Sequence, residues 1–477
     1  MTKYRKLRSQ LSLVFLIVST GCISMVNAQA DESFVEYPQG HIAITDVSVI
    51  DGTGTSVKPH QTVLINGNQI VAMGNATHFK IGKHVTKING EGKTLIPGLV
   101  MMHEHMFYPT GKANYTEMLT SFPKLYLAGG VTAARTAGTL SPYADLALRD
   151  AINAGKSIGP DIDVTAPYLN GPGLPILKIK ALRGADDAET MMNYWISEGV
   201  TSYKAYMHIH QDELEKIITL AHQQNQKVTG HLCSVTYREA AELGIDNLEH
   251  GFFAATDFVK NKVKNECPTA TSVHQSLVNL DIDGKDVNEL IDFLISKGVT
   301  LTSTLTVFET YTKGRPKAYP EALAALIPEV REQYEIRWQQ VAKQDNATWP
   351  IVFKKMMKLE KKFVDAGGKL IAGTDPTGFG GVVAGFANQR VIELLVEAGF
   401  DIEQAVEIST LNGAKFLQRD NEMGSIEIGK LANVVLVDGD LSKDTSAIRN
   451  MSIVFKNGIG YNAKKIRANT KAVVGLH

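Results

Sequence analysis

From residue 41 to 95 short apolar runs are broken by turn residues, as in IAITDVSVIDGTG and TVLINGNQIVAMGN, and the natural reading is a set of antiparallel strands. The texture returns at 424–462, in GSIEIGKLANVVLVDGDL and IRNMSIVFKNGIGY, where Asn457-Gly458 is a hairpin-type turn. Two such stretches at opposite ends of a chain can pair into one small discontinuous β-sandwich. Between them, over 96–420, the period changes. Leu214, Ile217, Ile218 and Ala221 fall at i, i+3, i+4, i+7, as do Val287, Leu290, Ile291 and Leu294, and Val391, Leu394, Leu395 and Ala398. Each stripe predicts a helix with one buried face. Short β-type runs flank these helices: VTSYKAYM, KVTGH, IDNLEH, VTLTSTL and KLIAGTD. Repeated strand–helix units predict a parallel α/β architecture, either a (β/α)8 barrel or a doubly wound sheet, and periodicity alone does not separate the two. Residues 306–365 interrupt the rhythm with a long charged helical stretch, read as an excursion over one end of the core and a candidate lid, or else a subunit contact.

Composition narrows the class without naming a chemistry. Lys+Arg 49 against Asp+Glu 50 gives a net charge of −1, and 44% of the 477 residues are hydrophobic, which excludes a disordered chain. The near-neutral balance supplies no field for nucleic acid. Lys3, Arg5, Lys6 and Arg8 precede a short apolar run at 11–18, and Ala28-Gln29-Ala30 has the small-x-small pattern of a cleavage site. Residues 1–30 therefore read as a signal peptide, cut near Ala30, that sends the chain to a bacterial periplasm or outside the cell. A competing reading makes Cys22 a lipid-anchored N-terminus. No later segment is long and apolar enough for a transmembrane anchor. Of the remaining cysteines, Cys233 stands two residues from a candidate ligand, and a free thiol is the expected state for it and Cys267.

The chemistry lies at the ends of the strand-like runs. His103-Glu104-His105 follows an apolar run; on a strand, residues i and i+2 share a face, so two imidazoles can grip one cation while Glu104 points away. His208 and His210 have the same spacing but follow their run beside an acidic helix start, and read as a surface or rim pair. Lys204 ends its run between Tyr203 and Tyr206, a costly place for an ammonium unless its charge is altered or paired. His231 and His250 end the next two runs, and Asp375 ends the last. Strand ends at one face of a barrel converge, and nitrogen and oxygen donors without thiolate suit Zn²⁺ or Mn²⁺.

Met102-His103-Glu104-His105 after Leu95-Ile96-Pro97-Gly98-Leu99, Tyr203-Lys204-Ala205-Tyr206, Thr229-Gly230-His231, Leu248-Glu249-His250-Gly251 and Ala372-Gly373-Thr374-Asp375-Pro376 resemble the successive motifs of the amidohydrolase superfamily. The stretch from Gly424 to Asp438 resembles that family's return to its β-sandwich, so the likeness runs from about residue 41 to 460. It implies a (β/α)8 barrel with a discontinuous β-sandwich and a site for two divalent metal ions. His103, His105 and Asp375 would hold the more buried ion, His231 and His250 the other, with Lys204 bridging both as a carbamate formed with CO₂. One departure concerns Met101, which stands where family members often carry Asp or Asn, so a polar group behind the first His is expected to be missing.

Two divalent cations can lower the pKa of a shared water enough to supply hydroxide, with Asp375 as general base and then general acid. The implied reaction is hydrolysis of an amide or peptide-like C–N bond in a dipeptide, N-acyl amino acid or cyclic amide. Prolidase-like dipeptidases are the nearest members in character. The alternative on the same site is a lactone, ester or phosphotriester, and a non-catalytic metal-binding scaffold stands as a third reading. Arg135, a candidate partner for a substrate carboxylate or else a structural tie, joins Tyr168 and Tyr206 as substrate-binding candidates, with Asn170, Ser303 and Thr304 as further wall residues. Gly378-Phe379-Gly380-Gly381 lacks the Lys-Ser/Thr of a phosphate loop and reads as a flexible rim.

Overall fold

A computed structural model describes residues 32–476 apart from 112, 113, 175, 177 and 346, so the expected leader and the Cys22 alternative lie outside the described residues. Strands from both ends of the chain share one nine-stranded mixed sheet. In it Val434–Val437 runs antiparallel to Thr94–Pro97, with Val434 opposite Pro97 and Val437 opposite Thr94. Thr94–Pro97 in turn lies beside Gly40–Val49, which pairs with Lys58–Gly67. The β-branched and aliphatic residues that favour pleated surfaces supply its interior: Ile44, Val63, Leu95, Val434 and Leu436 pack with Phe455 in a cluster of their own.

The middle of the chain forms parallel strands with helices outside them, an α/β fold of the TIM-barrel type. A first group holds Leu99–Glu104, Val131–Thr136 and Asp161–Asp163. A second runs through Ser202–Ala205, Lys227–Gly230, Asn247–Glu249, Thr300–Ser303 and Lys369–Ala372. Ala166 and Leu169 donate their N–H groups to Ser202 O and Lys204 O, both at 3.0 Å, which ties the two groups together. At the other edge Thr374 N and Asp375 N donate to His103 O at 3.1 and 3.0 Å, so the end of the last strand is bonded back to the end of the first. Apart from Asp161–Asp163 and the lysines that open Lys227–Gly230 and Lys369–Ala372, these strands are buried on both faces, which is why little period-2 alternation shows in them. The helical stripes face inward: Leu214, Ile217 and Ile218, then Val287, Leu290, Ile291 and Leu294, then Val391, Leu394 and Leu395 are all buried.

The excursion divides in two. Thr348–Asp365 is an ordinary covering helix, packed on strand Lys369–Ala372 through Val352, Phe353, Met356, Leu359 and Phe363. Only Leu305–Glu309, Pro320–Ala325 and Pro328–Lys343 depart from the alternation; the last two begin on a proline, whose missing N–H costs nothing at a first turn.

The cysteine expectation needs correction. Cys233 and Cys267 form a disulfide, with Cα atoms 4.8 Å apart. The loop after strand Asn247–Glu249 folds over the loop that follows His231; Thr256 Oγ1 donates to Cys233 O at 3.1 Å, and this layering brings Cys267 onto Cys233. Closing a loop of 34 residues removes chain entropy from the unfolded state. Reduction or Cys267→Ser is expected to lower stability by about 2–4 kcal/mol. Urea unfolding of oxidised and reduced protein checks this, and coincident curves would show that the layered loops hold each other without the bond.

Candidate metal centre

His103, His105, Lys204, His231, His250 and Asp375 all line one cavity of about 200 Å³ at the carboxyl ends of the parallel strands. Strand alternation delivers His103 from inside Leu99–Glu104, and His105 follows one step beyond the strand end. Asp375 arrives from the opposite edge. A Cβ on Gly373 would sit 2.3 Å from His103 Cβ, so only glycine lets the last strand pass this close to the first. His250 and Asp375 both adopt the left-handed region, φ 69° and 53°, a conformation that non-glycine residues hold only where the surroundings impose it.

The donor atoms converge on Asp375. Its Oδ1 lies 3.3 Å from His105 Nε2 and 3.8 Å from His103 Nε2, and its Oδ2 lies 3.9 Å from His250 Nδ1. One donor atom each from His103, His250 and Asp375 falls within 4.8 Å of the others. The His231 ring meets that of His250 at 4.4 Å. The other ring nitrogens of two rings are tied from behind, His103 Nδ1 to Glu249 Oε2 at 2.6 Å and His105 Nδ1 to Gly138 O at 3.2 Å, while His250 Nδ1 itself bonds Thr304 Oγ1 at 2.7 Å. Such partners fix the tautomer that leaves a lone pair facing a cation.

Burial depresses His103 to about 4 and His231 to about 3, and holds His250 well below the usual imidazole range, so these rings are neutral at pH 7. Burial alone would raise Asp375, but His103, His105 and His250 outweigh it and keep the carboxylate ionised. Lys204 is 1% exposed; its Nζ lies 3.2 Å from Glu249 Oε1 but lacks the angle of a hydrogen bond and has no hydrogen-bond partner. Burial lowers it to about 8. A buried amine with a lowered pKa, ion-paired to Glu249 but without a hydrogen-bond partner, at the floor of a cavity of imidazoles and a carboxylate is a group positioned for modification or for metal.

Several candidates fall elsewhere. Arg135 does not line the cavity and is 1% exposed. Its guanidinium donates to Ser202 Oγ and Thr229 Oγ1 at 3.0 Å, to the Met102 and Tyr203 carbonyls at 3.3 Å and to Glu249 Oε1 at 3.4 Å, a tie across four strands. Tyr168 and Tyr206 do line the cavity, with ring centroids 4.8 Å apart. Asn170 is buried behind it, bonding the His208 N–H at 2.9 Å. Ser303 is not at the mouth either; it is fully buried and donates to Glu360 Oε2 at 2.8 Å, while Thr304 serves His250. His208 and His210 are half-buried and do not line the cavity. Glu104 turns away from the cluster, accepting from Thr374 N at 3.1 Å and Asn388 Nδ2 at 2.9 Å.

Glu249 is the residue that the sequence reading passed over, although it stands inside a quoted motif. It supplies the polar group behind His103 that Met101, fully buried in the main apolar core, does not. The signal available was a carboxylate directly before a strand-end histidine. Phe107, Tyr115, Phe308 and Tyr311 also line the cavity and were not singled out.

The chain belongs to the amidohydrolase family, whose description matches residues 94–460, and it is a metal-dependent hydrolase acting on carbon–nitrogen bonds. Among solved structures it is similar to a putative prolidase from Bifidobacterium longum, at 21% identity and TM-score 0.66, over 91% of this chain and 100% of that one. It is also similar to a Xaa-Pro dipeptidase with methionine bound in its active site, at 20% identity and TM-score 0.66, over 89% and 100%. The bottromycin amidohydrolase matches at 17% identity and TM-score 0.68, over 91% and 90%. At these identities the likeness is one of fold. No curated protein matches the sequence.

Two measurements follow from this geometry. Glu249→Gln keeps the shape but removes the charge that orients His103, so metal affinity is expected to fall roughly 10–100-fold, read by competition with a chelator; unchanged affinity would show that His103 needs no anionic partner. Glu360 is buried with Oε1 unpartnered, and burial pushes its carboxyl up to about 8 from an ordinary 4.5. Between those values the folded chain holds a proton that the unfolded chain has released, so this group's contribution to stability is lost as pH rises through that window. Glu360→Gln is therefore expected to gain in Tm over the parent as pH goes from about 5 to 8, and a pH-independent difference would contradict it.

Proposed function

We propose that this is an exported hydrolase with two divalent metal ions, which cleaves an amide or peptide-like C–N bond in the cavity beneath Tyr168 and Tyr206. The observation that carries it is the convergence of nitrogen and oxygen donors on one cavity with the buried Lys204 Nζ among them, paired to Glu249 at 3.2 Å but without a hydrogen-bond partner. That donor set fits Zn²⁺, with Mn²⁺ as the other hard-to-borderline choice. His103, His105 and Asp375 would hold the more buried ion and His231 and His250 the other, with Lys204, carboxylated by CO₂, between them. When bound, the ions polarise a substrate carbonyl and make water acidic enough to attack it near neutral pH.

The chain's own groups then have distinct tasks. Asp375, ionised and 3.3 Å from His105, accepts a proton from the attacking water and returns it to the departing nitrogen. Its Oδ1 accepts from Thr377 Oγ1 at 2.7 Å, which fixes the carboxylate plane. Imidazoles held by Glu249, Gly138 and Thr304 keep the donors aimed at the cavity.

The same reading takes the parallel strands as a closed (β/α)8 barrel and the nine-stranded sheet as a discontinuous β-sandwich against it. It takes residues 1–30 as a leader that delivers the chain to the periplasm or beyond. The Cys233–Cys267 bond supports that address, because such bonds persist in oxidising compartments.

Elemental analysis of protein purified with bicarbonate, joined to a panel of dipeptides, N-acyl amino acids, lactones and phosphotriesters, is the test. About two ions per chain and turnover of the amides are expected, with Asp375→Asn losing about 10²–10⁴ in kcat while metal stays bound. A metal-free chain, or a fully active Asp375→Asn variant, would sink the proposal.

A further inference from the structure

Above the donors lie two adjoining chambers that share part of their lining. Beyond the metal-site residues the inner one, about 200 Å³, is walled by Phe107, Tyr115, Tyr168, Tyr206, Phe308 and Tyr311. These rings are held in place. Phe107 stacks on His105 at 4.4 Å and Phe308 lies flat on Phe253 at 3.6 Å. Tyr311 stacks on Trp349 at 5.1 Å and meets the edge of Phe379 at 4.5 Å.

Among the described residues that line this chamber the one cation is Lys204. Lys178, on the segment that brings Ile176 and Ile179 to the wall, is turned instead to Glu117 at 2.8 Å and the Tyr115 carbonyl at 3.2 Å. Arg135 is committed beneath the floor. The outer chamber, about 810 Å³, shares Tyr115, Tyr311 and Gly378 with the inner one. Its wall is mixed: Pro109, Val330, Ile336 and Phe379 stand among Asn114, Gln333, Arg337 and Gln340.

We propose that the substrate is an elongated peptide-like amide, longer than a dipeptide, with an uncharged flat or apolar group beside the scissile bond in the inner chamber and a further stretch of peptide in the outer one. This rests on the C–N cleavage proposed above. Ligand sites usually occupy about 300–1,000 Å³, a size that the inner chamber reaches only together with the outer one. A carboxylate held against this wall would be set among aromatic faces, which carry the negative end of the ring quadrupole, with no guanidinium among the described residues that line the chamber. A peptide continuation, by contrast, presents carbonyl and N–H groups that amide, hydroxyl and guanidinium side chains can meet.

The test compares the free dipeptide Ala-Phe with N-acetyl-Ala-Phe-amide and with versions lengthened by two alanines at either end. Both kcat/KM and the calorimetric Kd of the metal-loaded enzyme are read. Extension in one direction is expected to raise kcat/KM at least about tenfold and to lower Kd in step. Asn114→Trp, which narrows the outer chamber, should cut the ratio of long to short kcat/KM at least about fivefold. A free dipeptide hydrolysed as well as the blocked, extended peptides would overturn the substrate class while leaving C–N cleavage standing. Tighter binding of the longer peptides without turnover would sustain the ligand class and remove the hydrolytic reading. Binding and turnover that are both indifferent to length would overturn the inference.

Discussion

Glu249 accepts a hydrogen bond from His103 Nδ1 at 2.6 Å while standing 3.2 Å from Lys204 and 3.4 Å from Arg135, in a place that water does not reach. Burial by itself would raise its carboxyl, yet Lys204, His103 and Arg135 hold it well below the usual carboxylate range. Removing one partner from such a buried set costs several kcal/mol, roughly 3–5, because the others are left uncompensated. The network also does geometric work. Arg135 ties Met102, Ser202, Tyr203 and Thr229, so it links four strands, and Glu249 passes that rigidity to the first imidazole of the metal cluster.

On that footing the cluster can afford its strained parts. His250 and Asp375 sit at positive φ, and Gly373 presses the last strand against His103. Glu104 contributes from the far side of its strand by gripping Thr374 and Asn388, which anchors the residue immediately before Asp375. Two adjacent residues of one strand thus act on opposite faces: His103 toward the cavity, Glu104 toward the clasp between last strand and first. The alternation of a strand is what permits both.

That alternation is also why the cluster was legible in the sequence. His103, Lys204, His231, His250 and Asp375 each mark the end of an apolar run, and parallel strands bring such ends to one face whatever their separation in sequence. Arg135 was ambiguous because an arginine at a strand end looks the same whether its side chain points over the rim or into the barrel; only the partners decide. The disulfide was illegible for a related reason. Cys267 lies in irregular chain between strand and helix, where no period says which loop it will cover. The departure from the strand–helix rhythm at residues 305–343 was visible, but its role was not, since the rings it contributes come from turns and helix faces with no common spacing.

The aromatic wall and the charge network are two sides of one arrangement. Phe308 and Tyr311 are fixed by Phe253, Trp349 and Phe379, none of which lines the cavity, so the cavity keeps its shape without spending the flexibility of the strand ends. Rigid rings exclude water, and a drier cavity strengthens every interaction between Asp375 and the imidazoles around it. The same dryness would make Lys204 costly as an isolated ammonium, and Glu249 beneath it is the anion that makes the position tolerable before any metal arrives. The floor therefore keeps its charge balance from within the barrel, and the wall above is left free to be apolar and to select what enters.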